Sequence, residues 1–396
     1  MDVYQRLGLK PIINCAATYT KLGGSIMEPH VAQAMADAAG CFIDLSQLQT
    51  AVGNRLAEIT RNEAAYVCNG AAAGLALATA ACITGDDISA MMRLPADLSG
   101  LKNEIIIHRA QRNYYDFAIR QTGARLIEIG HAMETTPLDL DAAFSDRTAA
   151  VFYFAGKHLN LKTLPLATVV ELARARGVPV VVDAAAQIPP VSNLWHFTRE
   201  AGADLAIFSG GKGIRGPQNS GLILGRADLI HAISLNGPPV QRIGRPMKVA
   251  KEPMIGLLVA VETLLQQDMA TLIAGWTARA EGWHETWRAI APPGIELAID
   301  PWGEAGQPIA RVIIHFGPAA PLDRDGFIDA LRTGERPIEV VVHGEHSVAL
   351  SAELLQPGEA EIADTRVQSV LAGATTKPNG IASAGGGALW ATGSPR

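Results

Sequence analysis

Between residues 64 and 225 the chain repeatedly sets a short, almost wholly apolar run between helix-length segments, and few folds accept that pattern. The runs are Glu104–His108, Arg125–Ile129, Ala150–Phe154, Val178–Val182, Leu205–Phe208 and Leu222–Leu224. A strand that is apolar on both faces must be covered on both, and parallel strands need crossovers of about the length the spacers provide. The pattern therefore predicts an α/β fold, a large domain built on a mainly parallel sheet with helices on both sides.

The remaining patterns divide the chain. Residues 1–30, with turn signals at Gly23-Gly24 and Glu28-Pro29, read as an irregular N-terminal arm, and helical patterns follow at 31–39 and 47–60. The large domain is expected over 31–251 and a long linking helix over 252–288. After Pro292-Pro293-Gly294 the rhythm changes: strands at 311–315 and 338–342 and helices at 324–333 and 357–372 predict a smaller C-terminal α+β domain over 289–373. The tail, 374–396, has no periodicity and is expected to be flexible.

Composition removes several classes of function. With 48% hydrophobic and 18% charged residues the chain fills sizeable cores and is not a disordered protein. Its net charge is −6 and its Lys and Arg residues are scattered, which argues against a nucleic-acid partner. The uncharged stretch 64–85 is Ala-rich and interrupted by Asn69, Gly70 and Gly74, so it reads as a buried helix behind a loop; no membrane association is expected. The opening, Met1–Arg6, lacks the apolar core of a signal peptide. Cys15, Cys41, Cys68 and Cys82 show no C-x-x-C spacing and are expected to be reduced thiols in a cytoplasmic protein. His343-Gly344-Glu345-His346 has no third ligand nearby in sequence, and no metal site is expected.

Chemistry concentrates at three places where apolar runs end, the edge at which open α/β sheets bind ligands. Cys68-Asn69-Gly70-Ala71-Ala72-Ala73-Gly74 leads into an apolar helix; its small residues let backbone N–H groups approach an anion at the helix N-terminus, although such a start also arises from packing. Asp183 follows three valines, where a carboxylate is costly unless a cation or donor meets it. Lys212 sits in Ser209-Gly210-Gly211-Lys212-Gly213, held on a tight loop rather than a solvated helix face. Separately each has a structural explanation. Anion cradle, strand-end Asp and loop Lys in that order are what a pyridoxal phosphate site requires: a lysine for a Schiff base and an acid for the pyridine nitrogen.

These stretches resemble the fold-type I pyridoxal phosphate enzymes, within them the selenocysteine synthase-like branch that includes D-glucosaminate-6-phosphate ammonia-lyase. Leu7–Asn14, Cys68–Gly74, Val182–Gln187, Ser209–Lys212 with Gly216-Pro217-Gln218, and Gly244–Val249 carry the likeness, which spans about 1–370. The resemblance implies that Lys212 is the Schiff-base lysine, that Asp183 partners the pyridine nitrogen and that Ala185 packs on the ring. It implies that Gln187 reaches the ring hydroxyl and that Gly70, Ala71, Ala72 and Ser209 hold the phosphate. The loop Arg109–Asn113 is expected to cover the other ring face, through Gln111. Arg245, Lys248 and Lys251 form a basic run that suits either a substrate anion clamp, acting across a dimer interface, or a solvated helix start; Tyr19, Tyr114 and Arg215 are further substrate-binding candidates. Cys68 is expected to be a core residue rather than a nucleophile.

The reaction implied is that of a lyase: Lys212 removes the Cα proton of a hydroxylated or acidic amino acid, a β-hydroxyl leaves, and a 2-keto acid and ammonia are released. A racemase, aldolase or transaminase uses the same parts, a racemase needing a second base such as Tyr19 or His108. Selenium transfer onto tRNA is disfavoured by the acidic charge. A nicotinamide-dependent dehydrogenase fits a doubly wound sheet but leaves Lys212 unexplained and lacks an early G-x-G-x-x-G. A non-catalytic cofactor-binding regulator would need a DNA-binding module for which no segment remains. Fold-type I sites are usually completed by a second subunit, so a homodimer or higher even homo-oligomer is expected.

Overall fold

The computed structural model describes residues 3–156, 159 and 161–374. Two compact units emerge among the described residues, one made of residues 25–267 and the other of residues 3–24 with 268–374. The tail expected to be flexible lies, from residue 375, outside the described residues.

The first unit carries seven strands: β1 (Ala64–Cys68), β2 (Glu104–His108), β3 (Arg125–Ile129), β4 (Thr148–Phe154), β5 (Val180–Asp183), β6 (Leu205–Ser209) and β7 (Gly221–Gly225), in the order β1-β7-β6-β5-β4-β2-β3. The pairs among β2 to β6 are parallel, and β7 runs antiparallel to both of its neighbours. Every residue of β2, β4, β5 and β7 is buried, as their apolar sequences demand. Helix α1 (Gly70–Thr84) crosses this sheet and is buried on all sides over Ala73–Ala81; its alanines and Gly74 supply the narrow profile that lets it lie against the strands. β1 itself is invisible in the sequence pattern. Ala64-Ala65-Tyr66-Val67-Cys68 has little β-branched content and runs straight into the alanine helix, so only its pairing with β7 makes it a strand.

The expected 252–288 helix is two helices, α2 (Lys251–Gln266) and α3 (Met269–Ile290). The break falls at Asp268, whose carboxylate accepts from the Thr271 N–H at 3.2 Å and the Thr271 hydroxyl at 2.6 Å, capping α3 afresh. The two units divide there, and α3 is part of the second.

The second unit holds the antiparallel strands β8 (Ile295–Asp300), β9 (Arg311–Phe316), β10 (Val341–Val342) and β11 (Ser347–Ser351), ordered β10-β11-β9-β8. The single strand expected over 338–342 is split: Ile338–Glu339 pairs instead with Ile13–Asn14, in parallel. Residues 3–24 thus belong to this unit. Its core centres on Trp287, fully buried and stacked on Trp283 with ring centroids 5.0 Å apart, its indole N–H donating to Asp364 at 2.7 Å.

Candidate active site

The sheet register gathers the three strand-end features. Cys68 and Ser209 both pair with Gly221, so the entry to α1 and the end of β6 lie on either side of β7. Asp183 ends β5, paired with Ile207 of β6 and Phe154 of β4. Asp183, Ser209 and the first turn of α1 therefore share one edge of the sheet, and the loop after Ser209 brings Lys212 to it.

That loop is tightly sewn. Gly210 N–H donates to the Ser220 carbonyl at 2.9 Å, Gly216 N–H to the Gly210 carbonyl at 2.8 Å, and the Ser25 N–H and hydroxyl both donate to the Gly211 carbonyl at 2.9 and 3.1 Å. A Cβ on Gly210 would lie 2.0 Å from the Ser220 hydroxyl, one on Gly211 2.5 Å from the Gln218 Cα and one on Gly213 2.1 Å from the Ile188 carbonyl oxygen. The glycines flanking Lys212 are thus imposed by contact, and the lysine stands on a rigid, half-buried support. Arg215 closes the same turn with a left-handed φ of 58° and an N–H donated to the Lys212 carbonyl at 2.8 Å.

Asp183 is buried, and one oxygen accepts from the Ala185 N–H at 2.9 Å. Burial raises its carboxyl above the usual aspartate range, opposed by that N–H and by the charge of Lys212. A carboxylate held at such a cost beside an ammonium has the electrostatic signature of a functional pair. The anion cradle fits as well. Gly70, at φ +81°, has open space where a Cβ would stand, and Asn69 makes no side-chain cap, so the leading N–H groups of a 15-residue helix are not covered by a cap. Among the described residues the Ser209 hydroxyl makes no hydrogen bond. Anion donors, a buried acid and a lysine on one edge match the phosphate, ring nitrogen and aldehyde of pyridoxal phosphate.

Other expected residues fall differently. Gln187 donates from Nε2 to the Ala155 carbonyl at 3.1 Å and helps line a cavity of about 430 Å³ with Tyr153, Leu166 and Phe197. Gln111, expected over the ring, is instead fully buried: its Oε1 accepts from the Phe154 N–H at 3.1 Å, so it props the end of β4 and presents no surface at the sheet edge. His108, a candidate second base, lies inside the sheet. It is fully buried, its Nε2 accepts from the Leu164 N–H at 3.2 Å, and burial holds its pKa down to about 4 against a weaker opposing effect of the Gln111 amide. Lys251 is committed to structure, donating to Glu252 and to the Ala38 carbonyl, each at 2.6 Å. Arg245 and Lys248 flank a short turn seated by Gly244, whose N–H donates to the Asn236 carbonyl at 3.0 Å; among the described residues neither side chain has an ion pair or hydrogen bond. Tyr19 packs in the second unit beside Ala16, Val341 and Ala349, and Tyr114 is exposed. Cys68 is a core thiol, pushed up to about 12 by burial. Among the described residues no cluster of three metal-ligating side chains occurs. Sequence reading missed Gly221 and Ser25, whose contributions are positional; the glycine opening the apolar run 222–224 was the available signal.

Comparison with known proteins agrees with this geometry. The Aminotransferase class-V family model matches residues 84–250. A 5'-C-glycyluridine monooxygenase-decarboxylase from Streptomyces sp is 37% identical over 328 residues, 80% of this chain and 78% of that protein. The D-glucosaminate-6-phosphate ammonia lyase of Salmonella typhimurium is 33% identical over 368 residues, 91% of this chain and 95% of its own. A solved structure of D-glucosaminate-6-phosphate ammonia-lyase superposes with a TM-score of 0.81 at 31% identity, covering 95% of this chain and 99% of that one. With a relative 33% identical over 91% of the chain and a solved structure matching at a TM-score of 0.81, the chain belongs to the fold-type I pyridoxal phosphate enzymes, in the branch that holds D-glucosaminate-6-phosphate ammonia lyase.

Proposed function

We propose that this enzyme is a pyridoxal phosphate-dependent ammonia lyase acting on a hydroxylated amino acid. The observation that carries the cofactor is the buried Asp183 beside Lys212 at the edge shared with the α1 N-terminus and Ser209; the near full-length likeness to D-glucosaminate-6-phosphate ammonia lyase supports the reaction. When bound, pyridoxal phosphate supplies an electron sink that acidifies the substrate Cα–H. Gly70, Ala71, Ala72 and Ser209 would hold its phosphate, Ala185 would pack on the ring, Gln187 would reach the ring hydroxyl and Asp183 would keep a proton on the ring nitrogen. Lys212 Nζ, on its rigid loop, takes the Cα proton and returns a proton to the departing β-hydroxyl. Water leaves and water then displaces the nitrogen, so the net products are a 2-keto acid and ammonia. Arg245, Lys248 and Arg215 are the cations available to a substrate phosphate or second carboxylate. The setting is cytoplasmic, and the assembly a homodimer or a higher even homo-oligomer.

The test is the visible spectrum of the purified enzyme before and after borohydride, with Lys212→Ala alongside, followed by D- and L-hydroxyamino acids assayed for keto acid and ammonia. A visible band abolished by borohydride and absent in the variant, with equimolar keto acid and ammonia, is the expected result. A protein that takes up no pyridoxal phosphate refutes the cofactor; product formation that consumes oxygen and releases carbon dioxide refutes the lyase in favour of chemistry like that named for the Streptomyces relative.

A further inference from the structure

Two fully buried polar side chains, His108 and Gln111, remain without a role in the chemistry above. Burying them is costly, the more so because His108 Nδ1 has no hydrogen-bond partner among the described residues, so their contribution lies in position rather than stability. Their partners are specific. Gln111 Oε1 accepts from the Phe154 N–H at 3.1 Å, where β4 ends. His108 Nε2 accepts from the Leu164 N–H at 3.2 Å, where the chain returns ahead of the helix Leu166–Ala175. One residue of the pair thus grips the departure of the 155–164 connection, the other its return, and both stand at the end of the same neighbouring strand. His108 also meets Tyr153 edge-on, ring centroids 5.8 Å apart, on the same stretch of β4.

The consequence reaches the sheet edge. Phe154 pairs with Asp183 across β4 and β5, the Ala155 N–H donates to the Asp183 carbonyl at 2.9 Å, and the Ala155 carbonyl accepts from Gln187 Nε2 at 3.1 Å. The backbone that carries the acid and the carbonyl that holds Gln187 are both fixed by the segment that Gln111 and His108 clamp. We propose that His108 and Gln111 are positioning residues for the cofactor site, setting the height of Ala155 and thereby the placement of Asp183 and Gln187. This rests on the cofactor reading above. Because Leu164 N–H occupies Nε2, the imidazole proton sits on Nδ1, and His108 acts as a neutral acceptor rather than a base.

The experiment is a pyridoxal phosphate titration of enzyme stripped with hydroxylamine, together with the pH midpoint of the bound cofactor's visible band. The variants are Gln111→Leu, His108→Leu, His108→Gln and, as a control, Leu140→Ala in the buried face of the helix Pro137–Ala143. Gln111→Leu and His108→Leu are expected to raise the dissociation constant about tenfold, the scale of one lost buried hydrogen bond, and to displace the midpoint. His108→Gln, whose Oε1 can still accept from Leu164, should restore both values, while Leu140→Ala loses stability and moves neither. Wild-type affinity and midpoint in both leucine variants would overturn the proposal. Failure of the wild type to bind is a separate outcome: it removes the cofactor reading and this inference with it. If Gln111→Leu does not fold, the two His108 variants decide.

Discussion

The two sheets of this protein treat buried charge in opposite ways. In the four-stranded sheet Arg311 is buried and meets the Asp300 carboxylate at 2.7 Å, across the very register that pairs the two residues in β9 and β8. Trp287 likewise spends its one polar hydrogen on Asp364. In the seven-stranded sheet Asp183 receives a backbone N–H and the field of Lys212, and burial still pushes its carboxyl upward. A buried charge that faces an opposite charge at ion-pair distance, as Arg311 does although its Nε has no partner among the described residues, is structural. Asp183, which burial pushes upward despite the backbone N–H and the field of Lys212, has the character of a functional acid, and it stands where parallel strands end, the edge at which such sheets bind ligands.

The contrast is most strongly tested in the second unit. Trp287→Ala removes a fully buried, stacked indole and its bond to Asp364, and is expected to cost about 3–5 kcal/mol. Hydrogen exchange should show protection collapsing in α3 and β8–β11 while β2–β7 keep theirs. Equal loss in both units would mean that the two cores are one cooperative body.

Asp183 gives the intermediate effect and carries a sign. Asp183→Ala should weaken cofactor binding about 10–100-fold, the range for a hydrogen bond to a charged group. Asp183→Asn should do so too, yet make the stripped enzyme more stable at neutral pH. A carboxyl whose folded-state pKa is raised binds its proton more tightly folded than unfolded, so its contribution to stability falls as pH rises above the ordinary aspartate value of about 4. The melting temperatures of stripped wild type and Asp183→Asn should therefore coincide below that pH and separate above it, the variant melting higher. A stripped variant less stable than wild type at pH 7 would show Asp183 to be structural, like Asp300.

What the sequence disclosed follows the same division. Strands such as Ile105-Ile106-Ile107 and Val180-Val181-Val182 are legible because burial on both faces leaves no other residue type possible, and Asp183 and Lys212 stand out against that background. β1 was illegible because alanine serves helix and strand alike, and β8 and β11 because their alternation is short and interrupted. The cut at Asp268 is a cap, one side chain against one N–H, too local to disturb a helical pattern on both sides. Gln111 is a related case: its place after β2 suits a ring-covering residue, but its amide oxygen accepts from Phe154, a partner 43 positions away that no local pattern reveals.

The thiols test the same distinction at the smallest scale. Cys15 sits in the core of the second unit, Cys68 at the cradle and Cys82 against the α1 core, and burial raises all three, Cys68 and Cys82 to about 12. At pH 8 fewer than about one in a thousand of the latter two are thiolate, the form that reacts. Cys41 is exposed. A thiol reagent added to the native enzyme is expected to titrate Cys41 quickly, the half-buried Cys82 slowly and Cys15 and Cys68 only on unfolding, with Cys41→Ser abolishing the fast phase and leaving cofactor binding intact. The informative case is Cys68, which lies beside Gly70 with its Sγ donating to the Gly70 carbonyl at 3.3 Å. Rapid labelling there, suppressed by pyridoxal phosphate, would mean that the cradle opens in the stripped enzyme, and that the rigidity argued for this edge of the sheet is conferred by the ligand rather than built into the strands.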